Sequence, residues 1–211
     1  MTYSVKEIYY TIQGEGANTG RPAVFLRFTG CNLWSGREED RATAICPFCD
    51  TDFIATDGPL GNKYTSASRL ADVVRSLWTA PTTHGALVVC TGGEPLLQLD
   101  DDLITSLHAC GFQVAIETNG TIAAPATIDW ICVSPKAGSD LVQRSGDELK
   151  LVFPQNNFDP IDFEEMDFTH RYLQPMDGPN LSANTCLAVR YCMDNPRWRL
   201  SLQTHKFIGI A

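Results

Sequence analysis

Positive charge is scarce in this sequence. Its 211 residues carry 16 Lys and Arg against 25 Asp and Glu, a net charge of −9. A ligand with a long phosphate backbone needs a field of cations, so the balance argues against nucleic acid. It leaves room for a small anion held by one or two local cations. Long apolar runs are missing as well: none reaches the roughly 18 to 20 residues that span a bilayer. Met1 to Tyr10 has no basic region followed by an apolar stretch, so no secretory signal is read there. No membrane association is expected, and the expected location is the cytoplasm. Internal repeats, charge blocks, low-complexity tracts and linkers are absent. The length suits one sizeable core, so a single domain over 1–211 is expected, with an extended loop at about 31–62. Histidine is sparse: His84, His108, His170 and His205.

Cysteine is what the chain has in excess, with eight. Disulfides are not expected in a cytoplasmic protein, so burial or metal binding must account for them. Cys90 and Cys132 end apolar runs. Cys110 ends a predicted helix, and Cys186 and Cys192 lie in another. For these five the expected role is a small buried hydrophobe. Cys31, Cys46 and Cys49 stand apart, in loop-like sequence with Gly, Pro, Asn and Asp around them.

The organisation is read from periodicity. Val24 to Thr29 predicts a strand ending at Gly30-Cys31. Ser66 to Trp78 predicts a helix with Leu70, Val73, Val74 and Leu77 on one face. Ala86 to Thr91 is a continuous apolar run, as a buried parallel strand would be. Asp100 to Ala109 predicts a second helix with acidic residues in its first turn. Strand-like segments follow at 113–117, 130–134, 148–153 and 171–174, then a helix over 179–193 and a last strand over 198–203. Early alternation of strand and helix implies right-handed crossovers and a parallel sheet. The middle strands have too little sequence between them for full helices. The expected class is therefore α/β: an incomplete, partial β/α barrel of about six mostly parallel strands with few helices. In such sheets ligands sit at the carboxyl ends of the strands. Cys31, Thr91 to Glu94, Glu117 to Asn119, Ser134 to Lys136 and Gln174 to Asp177 should then share one site.

Cys31, Cys46 and Cys49 have the spacing C-x14-C-x2-C. A structural zinc site normally takes four protein ligands, and no histidine lies in the loop. A 4Fe–4S cluster on three cysteines leaves one iron open for a cofactor or substrate. Three free thiols are the remaining reading, against an otherwise polar loop. Spacing alone does not separate zinc from cluster. Thr91-Gly92-Gly93-Glu94-Pro95 follows the apolar strand directly. By itself it is equally well a strand-to-helix turn. Its glycines permit close backbone approach to a ligand, and Glu94 offers a carboxylate for a cationic amino group.

A GGEP-type turn paired with a three-cysteine loop resembles the radical S-adenosylmethionine superfamily. The usual spacing there is C-x3-C-x2-C, and the longer spacing points to a subfamily. The segments Glu7-Ile8-Tyr9, Thr11 to Gly16, Arg21-Pro22-Ala23, Phe25-Leu26-Arg27 and Gly30 to Trp34 resemble 7-carboxy-7-deazaguanine synthases. So do Cys49-Asp50-Thr51, Glu117 to Gly120, Ser134-Pro135-Lys136, Leu173 to Asp177 and Gln203 to Lys206.

The resemblance implies a lyase that converts 6-carboxy-5,6,7,8-tetrahydropterin into 7-carboxy-7-deazaguanine with loss of ammonia, in queuosine and 7-deazapurine biosynthesis. It implies one 4Fe–4S cluster on Cys31, Cys46 and Cys49, S-adenosylmethionine, magnesium at Thr51, a reductant such as flavodoxin or ferredoxin, and a homodimer. For the cofactor it implies Phe48, Cys49, Asp50, Gly93, Glu94, Ser134, Pro135, Lys136, Gln174, Pro175, Met176 and Asp177. For the pterin it implies Ile12, Gln13, Gly14, Glu15, Arg27, Thr91, Glu117, His205 and the terminal carboxylate of Ala211. Arg27 offers a bidentate fork for a carboxylate, and an arginine inside a strand is poorly placed as a mere surface residue. Thr51 is equally read as a turn threonine, and His205 as a structural histidine. The alternatives are another radical enzyme, such as a glycyl-radical activase, and a zinc-stabilised binding module.

Overall fold

The computed structural model describes residues 1–210. One nine-stranded sheet organises them, in the order β3-β1-β2-β4-β5-β6-β7-β8-β9. The strands are β1 (Tyr3–Ile12), β2 (Pro22–Phe28), β3 (Asn62–Tyr64), β4 (Leu87–Gly92), β5 (Gln113–Thr118), β6 (Trp130–Val133), β7 (Ser145–Phe153), β8 (Asp167–Pro175) and β9 (Arg199–Leu200). From β2 through β4 to β9 all neighbours are parallel. β1 and β3 add an antiparallel edge. β3 and β9 are the free ends of the sheet, which is open.

The six strands β2 and β4 to β8 are the expected parallel set. The sheet has nine strands because β1 and β3, which were not predicted, and β9, the expected last strand, join these six. β1 escaped prediction because a register shift between Val5 and Glu7 breaks its alternation, so Val5, Lys6 and Ile8 are all buried. The last strand is only Arg199–Leu200, shorter than the expected 198–203, and a short helix α4 (Thr204–Ile208) follows it.

The helices α1 (Ala67–Leu77), α2 (Asp101–Ala109) and α3 (Leu181–Asp194) lie close to their predicted spans. Ser66 caps α1 by accepting the Arg69 N–H, and Asp100 caps α2 by accepting the Leu103 N–H. Each satisfies one donor that the first helical turn leaves unpaired. Leu70 and Val74 of α1 and Leu103, Ile104 and Leu107 of α2 are buried against Val24, Leu26, Val88, Val114 and Ile116 of the sheet. Truncating such a residue, as in Leu70→Ala, costs about 2–5 kcal/mol. A second cluster holds α3 through Ala188 against Leu149, Leu151 and Leu173.

The strands alternate, and the two faces differ in kind. Leu26, Cys90, Ile116, Leu149 and Leu151 face the helices. The opposite, concave face has an apolar layer of Ala23, Leu87, Val89 and Ala115. One step further toward the carboxyl ends, the same face carries Arg27, Thr91, Glu117 and Lys150, all lining one cavity.

Of the five cysteines read as buried hydrophobes, Cys90 and Cys132 are buried and Cys110 and Cys192 partly so. Cys186 is exposed, which corrects the reading for that residue: it falls on the solvent side of α3, where helical period overrides composition. Among the described residues no helix is long and apolar enough to cross a membrane.

Candidate active site at the carboxyl ends of the strands

A cavity of about 390 Å³ opens at the carboxyl ends of the parallel strands. Cys31, Cys46, Phe48, Cys49, Asp50 and Thr51 line it from the long loop. Thr91, Gly93, Glu117, Ser134, Lys136, Gln174, Pro175, Met176 and Asp177 line it from the strand ends. Ile12, Gln13, Gly14, Glu15, Arg27 and His205 complete the wall. Pro135 and Glu94 do not line it, and Ala211 lies outside the described residues.

The cysteines are brought together by the loop. The N–H groups of Ile45 and Cys46 donate to the Leu33 carbonyl at 3.1 and 3.4 Å, which returns the chain to Cys31. Arg41 donates to the carbonyls of Pro47 and Cys49 at 2.8 and 3.1 Å, and to both Glu38 carboxylate oxygens. Its guanidinium lies 4.0 Å from the centre of the Trp34 ring. Cys46 is buried and Cys31 and Cys49 are half-buried. A hydrogen bond from Cys46 takes the Cys49 thiol down to about 6, and nearby Lys136 acts in the same direction. The Cys46 thiol moves up, through the hydrogen bond to Cys49 and through burial. Lys136 is itself lowered by burial, against the pull of the two thiols. Among the described residues no three His, Cys, Asp or Glu side chains form a ready-made site for a single metal ion.

Glu94 differs from its expected role. It is fully buried. One carboxylate oxygen accepts the Leu96 N–H at 3.0 Å and the Thr118 hydroxyl at 2.8 Å; the other accepts the Asn119 N–H at 2.8 Å. It ties the turn after β4 to the end of β5 from behind the cavity wall. Burial raises its carboxyl, while these hydrogen bonds pull the other way. Gly93 has a structural reason too. A Cβ there would stand 2.1 Å from the Gly30 carbonyl oxygen and 2.7 Å from the Cys31 Cβ.

On the opposite wall, Arg27 donates through Nε to Glu7 at 2.8 Å and through Nη2 to the Tyr9 hydroxyl at 2.8 Å. Two groups on β1 thus fix its fork within the cavity wall. Gln13 donates to Glu117 at 2.9 Å. Gly14 lies against His205, where any Cβ would meet the ring Nδ1 at 2.4 Å. Thr204 donates its N–H and hydroxyl to the Gly14 carbonyl. The C-terminal helix is therefore fastened to the turn after β1. Lys206 reaches Asp50 at 2.7 Å and Asp177 at 2.5 Å, bridging the cysteine loop to the end of β8.

Lys150, Glu7, Tyr9, Gln203 and Lys206 also line the cavity and were not singled out from the sequence. A signal existed for Lys150: in Glu148-Leu149-Lys150-Leu151 charged and apolar residues alternate, which puts Lys150 on the face opposite the two leucines. Lys206 lies in a segment that carries the resemblance, but its role there is not readable, because its partners are 156 and 29 residues away.

No family model matches the chain. Curated proteins do. One from Caulobacter vibrioides is 63% identical over 210 residues, covering 100% of both chains. One from Bradyrhizobium diazoefficiens is 60% identical with the same coverage, and one from Haemophilus influenzae 35% identical over 99% of this chain and 94% of its own. All three bear the name 7-carboxy-7-deazaguanine synthase. The crystal structure of QueE from Escherichia coli superposes with a TM-score of 0.70 at 25% identity, over 96% of this chain and 94% of that one. With relatives this similar along their whole length, the chain belongs to the 7-carboxy-7-deazaguanine synthase family of radical S-adenosylmethionine enzymes.

Proposed function

We propose that this chain catalyses the ring contraction of 6-carboxy-5,6,7,8-tetrahydropterin to 7-carboxy-7-deazaguanine with loss of ammonia, a step of queuosine and 7-deazapurine biosynthesis. One observation carries the proposal: a single cavity is lined both by three cysteines and by Arg27, Thr91, Gln13, Glu15 and Glu117. A cofactor and a polar bicyclic substrate then meet between them.

The donor set fits a three-cysteine cluster. Three thiols line one cavity, and cysteine thiolates are the ligands that iron–sulfur clusters take. Cys31, Cys46 and Cys49 would hold the cluster, leaving one iron for S-adenosylmethionine. When bound, the cluster supplies the electron that cleaves S-adenosylmethionine to methionine and a 5′-deoxyadenosyl radical. The product and ammonia together contain the atoms of the tetrahydropterin, so the contraction needs no net oxidant.

The protein's part is to bind, orient and exclude water. Phe48, Asp50, Gly93, Ser134, Lys136, Gln174, Pro175, Met176 and Asp177 frame the cofactor. Pro135 shapes the turn between two of them, and Glu94 acts by holding Asn119 and the turn after β4. Arg27 takes the pterin carboxylate as a charge-assisted pair. Ile12, Gln13, Gly14, Glu15, Thr91, Glu117 and His205 surround the bicycle. Thr51 offers a hard oxygen to magnesium. The chain acts as one domain over 1–211, as a homodimer in the cytoplasm, reduced by flavodoxin or ferredoxin.

Anaerobic incubation with the tetrahydropterin, S-adenosylmethionine and a reductant tests the reaction. A 7-deazaguanine chromophore is expected. Its absence with an intact cluster refutes the assignment. Metal analysis should give about four irons per chain; one zinc and no iron would instead support a binding module.

A further inference from the structure

Lys150 is a charged side chain in the middle of a central strand, and only 4% of it is exposed. Its Nζ lies 2.5 Å from Glu15 Oε2 and 3.4 Å from Glu117 Oε1. Gln13 donates to that same Glu117 oxygen, and Gln203 donates to Glu15 Oε1 at 3.0 Å. Glu148, two residues earlier on the same strand face, is occupied elsewhere: it accepts the Ala17 N–H at 2.9 Å and the Cys132 thiol at 3.4 Å. One ammonium thus serves two carboxylates that line the cavity. A buried ammonium with no partner sheds its proton, and neighbouring carboxylates with no cation take one up. The trio stands because its three members are together.

Taking the pterin as substrate, we propose that Lys150 is a positioning residue that holds the Glu15 and Glu117 carboxylates aimed into the cavity, as a fixed acceptor wall selecting a ligand edge rich in N–H donors. The same atoms could not serve an edge presenting carbonyl oxygen, because acceptor would face acceptor. The other titratable groups that act on the trio are Glu148, Cys132, Lys136, His205, Asp50 and Tyr9. Their sum does not undo it: despite burial, Glu15 is carried down to about 2 by Lys150 and its hydrogen bonds, and Lys150 is raised well above its ordinary value.

The test uses the full chain, reconstituted anaerobically, as parent, Lys150→Met, Lys150→Arg and the charge-balanced pair Glu15→Gln with Lys150→Met. The substrates are the tetrahydropterin and its deaminated analogue, with carbonyl oxygen in place of the exocyclic amino group. Lys150→Met should raise the KM by about tenfold or more with a smaller change in kcat. Its KM should climb further as pH falls below neutral, where the parent's stays flat, because buried Glu15 without its cation takes up a proton. Preference for the amino substrate over its analogue should shrink, and Lys150→Arg should restore most of it. Iron content should match the parent throughout. Where Lys150→Met does not fold, the paired variant should show the same loss of preference. An active parent whose variants keep its KM, pH profile and preference overturns this inference alone. A parent inert toward the tetrahydropterin overturns the functional reading, and this inference with it.

Discussion

Gly93 packs directly on Cys31. A Cβ on Gly93 would lie 2.7 Å from the Cys31 Cβ and 2.1 Å from the Gly30 carbonyl oxygen. The Glu94 N–H donates to that same carbonyl at 2.9 Å, so the glycine-rich turn and the first cysteine are one packed unit. Gly93→Ala is expected to push Cys31 out of place. Reconstituted protein should retain less than about half of the parent's iron, a loss that follows from disturbing one of the three proposed cluster ligands. Iron and sulfide analysis after desalting measures it.

Arg41 ties the 32–45 insertion to the Cys46–Cys49 turn by the Pro47 and Cys49 carbonyls, and rests on Trp34. Arg41→Met removes the donors but keeps the bulk. The expected result is faster iron loss to a chelator and a shifted cluster potential, since groups near the ligating sulfurs tune both. Arg41→Lys should fall short of the parent, because a point charge cannot reproduce the planar fork. Chelation kinetics and a redox titration check both variants.

Lys206 bridges Asp50 and Asp177 across the mouth of the cavity. Its side chain is 40% exposed, so the pairs themselves stabilise the fold by less than about 1 kcal/mol. Lys206→Met should leave the melting temperature almost unchanged. It should raise the KM for S-adenosylmethionine, because the two walls it joins are the ones read as framing the cofactor. High salt should weaken the parent in the same direction.

Glu15 supplies a pH dependence with a definite sign. Burial would raise its carboxyl, but Lys150 and the hydrogen bonds lower it from an ordinary 4.5 to about 2. A lowered folded-state value means stability that is fully present above pH 4.5 and is lost as pH falls from 4.5 toward 2. Glu15→Gln should flatten that limb by on the order of a few kcal/mol, counted once for the Glu15–Lys150 pair. Urea unfolding at stepped acid pH measures it.

Much of this was legible in the chain. The parallel strands are short apolar runs, and their ends carry the polar residues that the cavity collects. The cysteine wall was visible from three residues in loop-like sequence. That Glu94 stands behind the cavity lining was not legible, because a motif gives a residue's neighbourhood but not the direction of its side chain. Fully satisfied hydrogen bonds to Leu96, Thr118 and Asn119 decide that direction. Lys206 was missed for a different reason: its partners are distant in sequence. β1 was missed because a bulge destroys the period on which strand prediction rests.

On the cavity side the sheet has an apolar layer beneath a polar one, while the helix side of β2 and β4 is apolar. Arg27, Thr91, Glu117 and Lys150 each sit between neighbours that face the helices. A slip of one residue in β2 would drive Arg27 into the helix layer and put Leu26 or Phe28 into the cavity. The same hydrogen-bond ladder therefore proofreads folding and the site together. A misregistered chain cannot survive as a stable but inactive protein, because the error that spoils the cavity also buries a charge in the core.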